Sequence, residues 1–249
     1  MERFLLLPDD RRRALCDEAG RVLGLTSGSV EKDFWVCWTL RTLFELPTTG
    51  PHLTFKGGTS LSKGWKLIQR FSEDIDLVID RDFLGFGGDR SPEGAPSHKQ
   101  SARRLDELKT ECQRHVREIL QPTFDAHIRD ILPATRGWRL EIDPDDEDEQ
   151  TLLFHYPSVI GQAGYVRSVV KIELGARSDI DPSARPEIRP YIADVFPEEF
   201  DRAVFAIRTV APDALSGRRL HCCTRRATEL RTTVRRRDSP GTTTICGAC

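Results

Sequence analysis

The sequence predicts an α+β protein: a mixed sheet with helices packed on it. Three observations lead there. Apolar residues recur at helical spacing near the N-terminus and again in the middle of the chain. A strand–glycine turn–helix–strand unit lies between them, at residues 53–79. A run of strand-like segments then follows from residue 138.

Behind the charged run Asp9–Arg13, the stripe Leu15, Val22 and Leu23 predicts a first helix. Thr26–Ser29 supplies capping hydroxyls for a second, in which Val30, Phe34, Cys37, Trp38 and Phe44 recur every three or four residues. That helix also carries Trp35, Val36 and Leu40, so it is apolar on most sides and expected to be buried; Pro47 and Gly50-Pro51 end it. A short strand, Leu53–Phe55, runs into Lys56-Gly-Gly-Thr59, then a helix over Ser60–Ile68 and a strand over Asp74–Ile79. Gly85–Ser97 is a loop by its Gly and Pro content. From Gln100 to Leu132 the apolar spacing is helical and broken by Pro122; strands are expected at Trp138–Ile142, Leu152–Tyr156, Tyr165–Leu174 and Ala203–Val210. The acidic Asp143–Glu149 reads as a solvated hairpin loop, and His115 and His127 as ordinary helix residues.

Composition divides the 249 residues in two. Residues 212–249 hold eight Arg and three acids, a net of +5, which leaves 29 basic and 36 acidic residues, a net of -7, in the first 211. Four of the seven cysteines also fall in the last 38 residues. No run of about 18 apolar residues occurs, so neither a membrane span nor a secretion signal is expected, and the chain is placed in the cytoplasm. Cys16, Cys37 and Cys112 then read as buried small hydrophobes.

The chemistry lies in residues 56–79. Asp74 and Asp76 are two apart on a strand, so their carboxylates leave one face about 7 Å apart, while Ile75, Leu77 and Ile79 point into the core. Two facing carboxylates repel, and the pair makes sense as ligands for Mg²⁺, which typically takes one or two carboxylates plus substrate phosphates. Two such ions suit in-line nucleotidyl transfer. Upstream, Gly57 and Gly58 let backbone N–H groups approach a triphosphate. Thr59 and Ser60 can donate to its oxygens, and Lys63 and Arg70 can neutralise its charge. The order Lys63-Gly64-Trp65 excludes a Walker P-loop, which needs Gly-Lys followed by Ser or Thr. The combination resembles the polymerase-β-type nucleotidyltransferase fold.

Four segments resemble a narrower family: Lys56-Gly-Gly-Thr-Ser-Leu-Ser-Lys63, Arg70-Phe-Ser-Glu-Asp-Ile-Asp-Leu77, Val30-Glu-Lys-Asp-Phe34, and Val170-Lys-Ile-Glu-Leu-Gly-Ala-Arg-Ser178. They are similar to the nucleotidyltransferase toxins of the AbiEii/AbiGii type, over residues 28–211. The resemblance implies a bacterial toxin of a toxin–antitoxin or abortive-infection pair, with an antitoxin encoded nearby. It implies use of a nucleoside triphosphate and Mg²⁺ to add nucleotides to an RNA acceptor, the 3′ end of tRNA. It also implies a catalytic Lys171, a third metal ligand at Glu173 and a further catalytic acid at Asp194. Two alternatives stay open: a nucleotidyltransferase that modifies proteins (AMPylation), and an inactive truncated remnant.

The domain division expected is 1–211 for the nucleotidyltransferase, with N-terminal helices 1–50 and a catalytic core 51–211, and 212–249 as an atypical, disordered tail. In the tail, His221-Cys-Cys223 and Cys246-Gly-Ala-Cys249 lack the usual zinc spacing, and the Arg clusters could touch RNA phosphates. A shifted reading frame explains more. Codons for Asp213–Cys223 and Gly241–Cys246, regrouped in one alternative frame, can spell Arg-Ala-Phe-Trp-Glu-Lys and His-Tyr-Tyr-Asp-Leu, close to runs the family carries there. On that expectation the family's C-terminal helical part is missing from this chain.

Overall fold

Seven strands form one mixed sheet in the computed structural model of the chain, which describes residues 1–68, 74–161 and 167–212. The tail from 213 on, with its zinc, RNA and frame readings, lies outside the described residues, and so does Arg70. Residues Met1–Ala211 cluster as one unit, described here by itself.

The chain enters through α1 (Glu2–Leu5) and α2 (Asp9–Leu23), and Gly24 ends α2 at φ 68°. Next comes α3 (Ser27–Glu45), whose Thr26 cap accepts from the Ser29 N–H at 3.1 Å. Every residue of α3 from Val30 to Leu40 is buried, charged ones included. β1 (Leu53–Lys56) leads into α4 (Gly57–Thr59) and a π-helical turn, Ser60–Gly64. The helix expected to reach Ile68 stops there, because Lys66 takes a left-handed conformation at φ 54°.

After β2 (Asp74–Ile79) and a loop come α5 (His98–His115), a second π turn at Val116–Leu120, and α6 (Gln121–Ile131). Pro122 does not break this helical run. The π turn ends beside it and places it in the first turn of α6, where its missing N–H leaves no bond unmade.

The strands β3 (Arg139–Ile142), β4 (Thr151–His155) and β5 (Val169–Gly175) are those expected from residue 138 on, shifted by a residue or more at their ends. The acidic hairpin between β3 and β4 is not simply solvated. Lys109 and Arg117 ion-pair with Asp148 and Glu149, and the Gln113 side chain donates to the Asp148 carbonyl at 2.8 Å. Short pieces complete the unit: β6 (Ser183–Ala184), β7 (Glu187–Ile188), α7 (Ile192–Val195), β8 (Phe205–Ala206) and β9 (Thr209–Val210). The single strand expected over Ala203–Val210 is therefore two, β8 pairing with β7 and β9 with β1 and β6.

The sheet order is β3-β4-β5-β2-β1-β9-β6, with β2–β5 and β1–β9 parallel and the other pairs antiparallel. Strand alternation gives the sheet two unlike faces. Ile75, Leu77, Leu152, Phe154, Val170 and Ile172 are buried on the face that α3 crosses. There Trp38 stacks on Phe154 at 5.6 Å and Trp35 on Tyr156 at 5.4 Å. The opposite face carries Lys56, Asp74, Asp76, Lys171 and Glu173, none of them fully buried. Among the described residues no helix is long and apolar enough to cross a membrane.

Candidate active site on the polar sheet face

Sheet register, not sequence proximity, assembles the site. The parallel pairing of β2 with β5 sets Asp74 against Lys171 and Asp76 against Glu173, and the antiparallel β1 sets Lys56 against Asp76. Cross-strand partners share a face, so three carboxylates and two ammonium groups gather at the centre of the sheet. Lys171 and Glu173 pair at 2.8 Å, and Lys56 donates to the Ser178 hydroxyl at 3.1 Å. Glu173, expected as a metal ligand, therefore already has a cation as partner.

Burial pushes the Asp76 carboxyl above its ordinary range, and the charges of Glu173 and Asp74 push it further, against Lys56 and Lys171. Lys171 is shifted up by its hydrogen bond to Glu173. An acid so placed has a local deficit of positive charge, which a divalent cation corrects. Among the described residues no three His, Cys, Asp or Glu groups stand together as a ready-made metal site. Asp74 and Asp76 are the residues on this face that could hold a Mg²⁺ ion whose remaining ligands come from a substrate.

The Gly57 backbone lies against this acid. Its φ is 75°, and a Cβ built there would lie 1.8 Å from Asp76 Oδ2. Only glycine lets the turn come this near the carboxylate. The next two hydroxyls do not point to a ligand as expected. Thr59 Oγ1 donates to the Asp74 carbonyl at 2.5 Å and Ser60 Oγ to the Gly57 carbonyl at 2.8 Å, both within buried residues. Gly58 follows Gly57 into the short α4.

Lys63 needs a larger correction. Its side chain is 4% exposed, and its ammonium sits 2.5 Å from Asp33 of α3 and 3.5 Å from the centroid of the Tyr191 ring. Burial works against its charge, but Asp33, together with Cys37 and Tyr191, outweighs burial and raises its pKa. Its ammonium is committed to Asp33 and the Tyr191 ring in this structure. Asp194 belongs to the same neighbourhood. It pairs with Arg189 at 2.6 Å and, with Ser62, Lys63, Lys66 and Tyr191, lines a cavity of about 420 Å³. Its charge bears on Asp33, whereas the charges bearing on Asp76 come from Glu173, Lys56, Asp74 and Lys171.

The sequence model of the family described as nucleotidyl transferase AbiEii toxin, type IV toxin–antitoxin system, matches residues 38–238. The chain belongs to this family. Among solved structures, the nucleotidyltransferase toxin MenT4 from Mycobacterium tuberculosis is similar at 17% identity, with a TM-score of 0.39 over 80% of this chain. The chain spans about half of that protein, 54% of its length. No curated protein matches this AbiEii-family chain.

Asp33, Lys56 and Tyr191 were not expected at the site. Asp33 had a readable signal: Glu31-Lys-Asp33 is a charged triplet inside an otherwise apolar helix, and charges in such a place are paired when buried. Lys56 stood in the Lys56–Lys63 run but only register shows that it faces Asp76, and Tyr191 had no signal, since a distant loop brings it in.

Proposed function

We propose that this chain transfers nucleotides from a nucleoside triphosphate to an RNA acceptor, the 3′ end of tRNA, as the toxin of a pair whose antitoxin is encoded nearby. The reaction belongs in the cytoplasm, where tRNA and nucleotides are. The observation that carries the reading is the contact of Gly57 with Asp76: a backbone turn fit for phosphates placed against a carboxylate of raised pKa. Asp74 and Asp76 would hold Mg²⁺, which supplies charge neutralisation for the attacking and leaving oxygens. Burial, then the charges of Glu173 and Asp74, strengthens the Asp76 carboxylate as a base. This carboxylate is suited to take the proton of the 3′-hydroxyl as that oxygen attacks the α-phosphorus and pyrophosphate departs. Lys56 and Lys171 flank the carboxylates and stabilise charge on the transferring group. Gly57 and Gly58 offer backbone N–H groups; the Lys63 and Arg70 readings are not needed for this scheme.

We also propose that residues 212–249 are out-of-frame sequence, which would leave the domain without the family's C-terminal helices and lower its activity. Reading the gene settles the point: a nucleotide sequence that spells neither expected run in an alternative frame overturns it.

For the activity, the protein is incubated with each α-labelled triphosphate, total RNA and total cell protein. Label at RNA 3′ ends is the expected result. Label in protein instead would replace the acceptor with a polypeptide, and label in neither would overturn the reading.

A further inference from the structure

Asp33 and Lys63 form a buried ion pair that none of the chemistry above uses. The two side chains are 3% and 4% exposed. One Asp33 oxygen meets the Lys63 ammonium at 2.5 Å, and the other accepts the Tyr191 N–H at 2.7 Å. The Tyr191 ring then caps the ammonium at 3.5 Å. One carboxylate thus ties together α3, the π turn after Gly57, and the segment leading into α7.

A buried ion pair is a poor source of stability, because desolvation offsets its attraction, and apolar replacements of similar volume often do as well. Fixing a geometry is the better account of it. The turn that follows β1 has two anchors. At its near end Thr59 bonds to the Asp74 carbonyl and Ser60 to the Gly57 carbonyl; at its far end Lys63 is held by Asp33. Between Gly57 and Asp76 there is no room even for one methyl group, so a small slide of this turn changes the contact between its backbone and the carboxylate. Errors of about 1 Å in such a site can cost 100-fold in rate.

We infer that the Asp33–Lys63 pair is a positioning device: it holds the Gly57–Ser60 turn against Asp76, so that the turn's backbone N–H groups and the carboxylate meet a nucleotide together. The inference rests on the nucleotidyl-transfer reading of this face. Asp33 and Lys63 touch neither nucleotide nor metal in this scheme; they act through the turn.

The test is the double variant Asp33→Asn/Lys63→Met, which removes both charges together. It is read by thermal unfolding and by equilibrium binding of fluorescent ATP with Mg²⁺. The expected result is a melting temperature within a few degrees of wild type and a Kd for ATP raised at least about tenfold, the scale of a misplaced site. Glu31→Gln serves as control. Glu31 is a buried carboxylate on the same helix that accepts from Ser158 and from the Val159 N–H, far in sequence from the turn. Its loss is expected to lower the melting temperature and leave the Kd unchanged. A folded double variant with wild-type Kd overturns the inference. If the double variant does not fold, Tyr191→Leu takes its place, since it uncaps Lys63 and leaves the pair. A Kd raised severalfold supports the inference, and an unchanged one overturns it. Wild type that binds ATP but labels no polymer overturns the functional reading alone, while wild type that binds no ATP overturns both.

Discussion

At Gly57 a single missing side chain decides whether backbone and carboxylate can meet. Its φ of 75° and the 1.8 Å that would separate an added Cβ from Asp76 Oδ2 make Gly57→Ala a double fault, a strained backbone and a collision. We expect that substitution to cost about 1–3 kcal/mol of stability and to abolish nucleotide transfer, as measured by denaturant unfolding and label transfer. Asp76 makes the opposite trade. Its pKa is raised in the folded protein, so the stability it contributes is present at low pH and is lost as pH rises through its elevated folded value. Without metal, the protein should therefore lose stability across that range, and Mg²⁺ should restore it. Asp76→Asn should remove both the pH-dependent loss and the Mg²⁺ effect, as read from melting curves recorded from below the ordinary Asp pKa up to neutral pH. A Mg²⁺-dependent rise in melting temperature that persists in Asp76→Asn would mean that the ion binds elsewhere. Asp74 and Asp76 were legible in the sequence, because period-two alternation of acid and aliphatic residues shows both the strand and the face. The burial of Lys63 and its pairing with Asp33 were not legible, because a sequence does not show depth.

Among the elements, α3 was the most legible, since an apolar helix with no polar side has nowhere to lie except inside. The turns were less so. Both π turns reconcile a helix with a constraint that composition alone does not show, at Gly57–Gly64 and before Pro122. Strand ends shifted because hydrogen-bond partners, not propensity, set where pairing stops. β1 also carries a defect that can be tested. The Thr54 hydroxyl is fully buried and finds no hydrogen-bond partner. Thr54→Val keeps the shape and removes the unpaired group, so it should stabilise the protein by about 1 kcal/mol. The corresponding rise of about 2–4 °C in melting temperature is measurable by calorimetry. An unchanged or lower melting temperature would show that the hydroxyl has a partner in solution.

Across the whole molecule, the sheet divides its labour by face: aromatics and aliphatics lie under α3, and charged residues gather on the other side. Part of the net of -7 over residues 1–211 sits on this polar face, as Asp74, Asp76 and Glu173 of β2 and β5. Which acids join that cluster could not be read from sequence, because β2 and β5 lie about 90 residues apart and only their register aligns Asp76 with Glu173. The fold class was readable from local patterns; the site needed the long-range pairing. The central claim is that nucleotidyl transfer takes place on this face, at Asp76. Its most direct measurement is the rate at which label passes from an α-labelled triphosphate to RNA 3′ ends, wild type against Asp76→Ala. The account predicts transfer by wild type and a loss of at least about 1,000-fold in the variant; equal rates in the two proteins would contradict it.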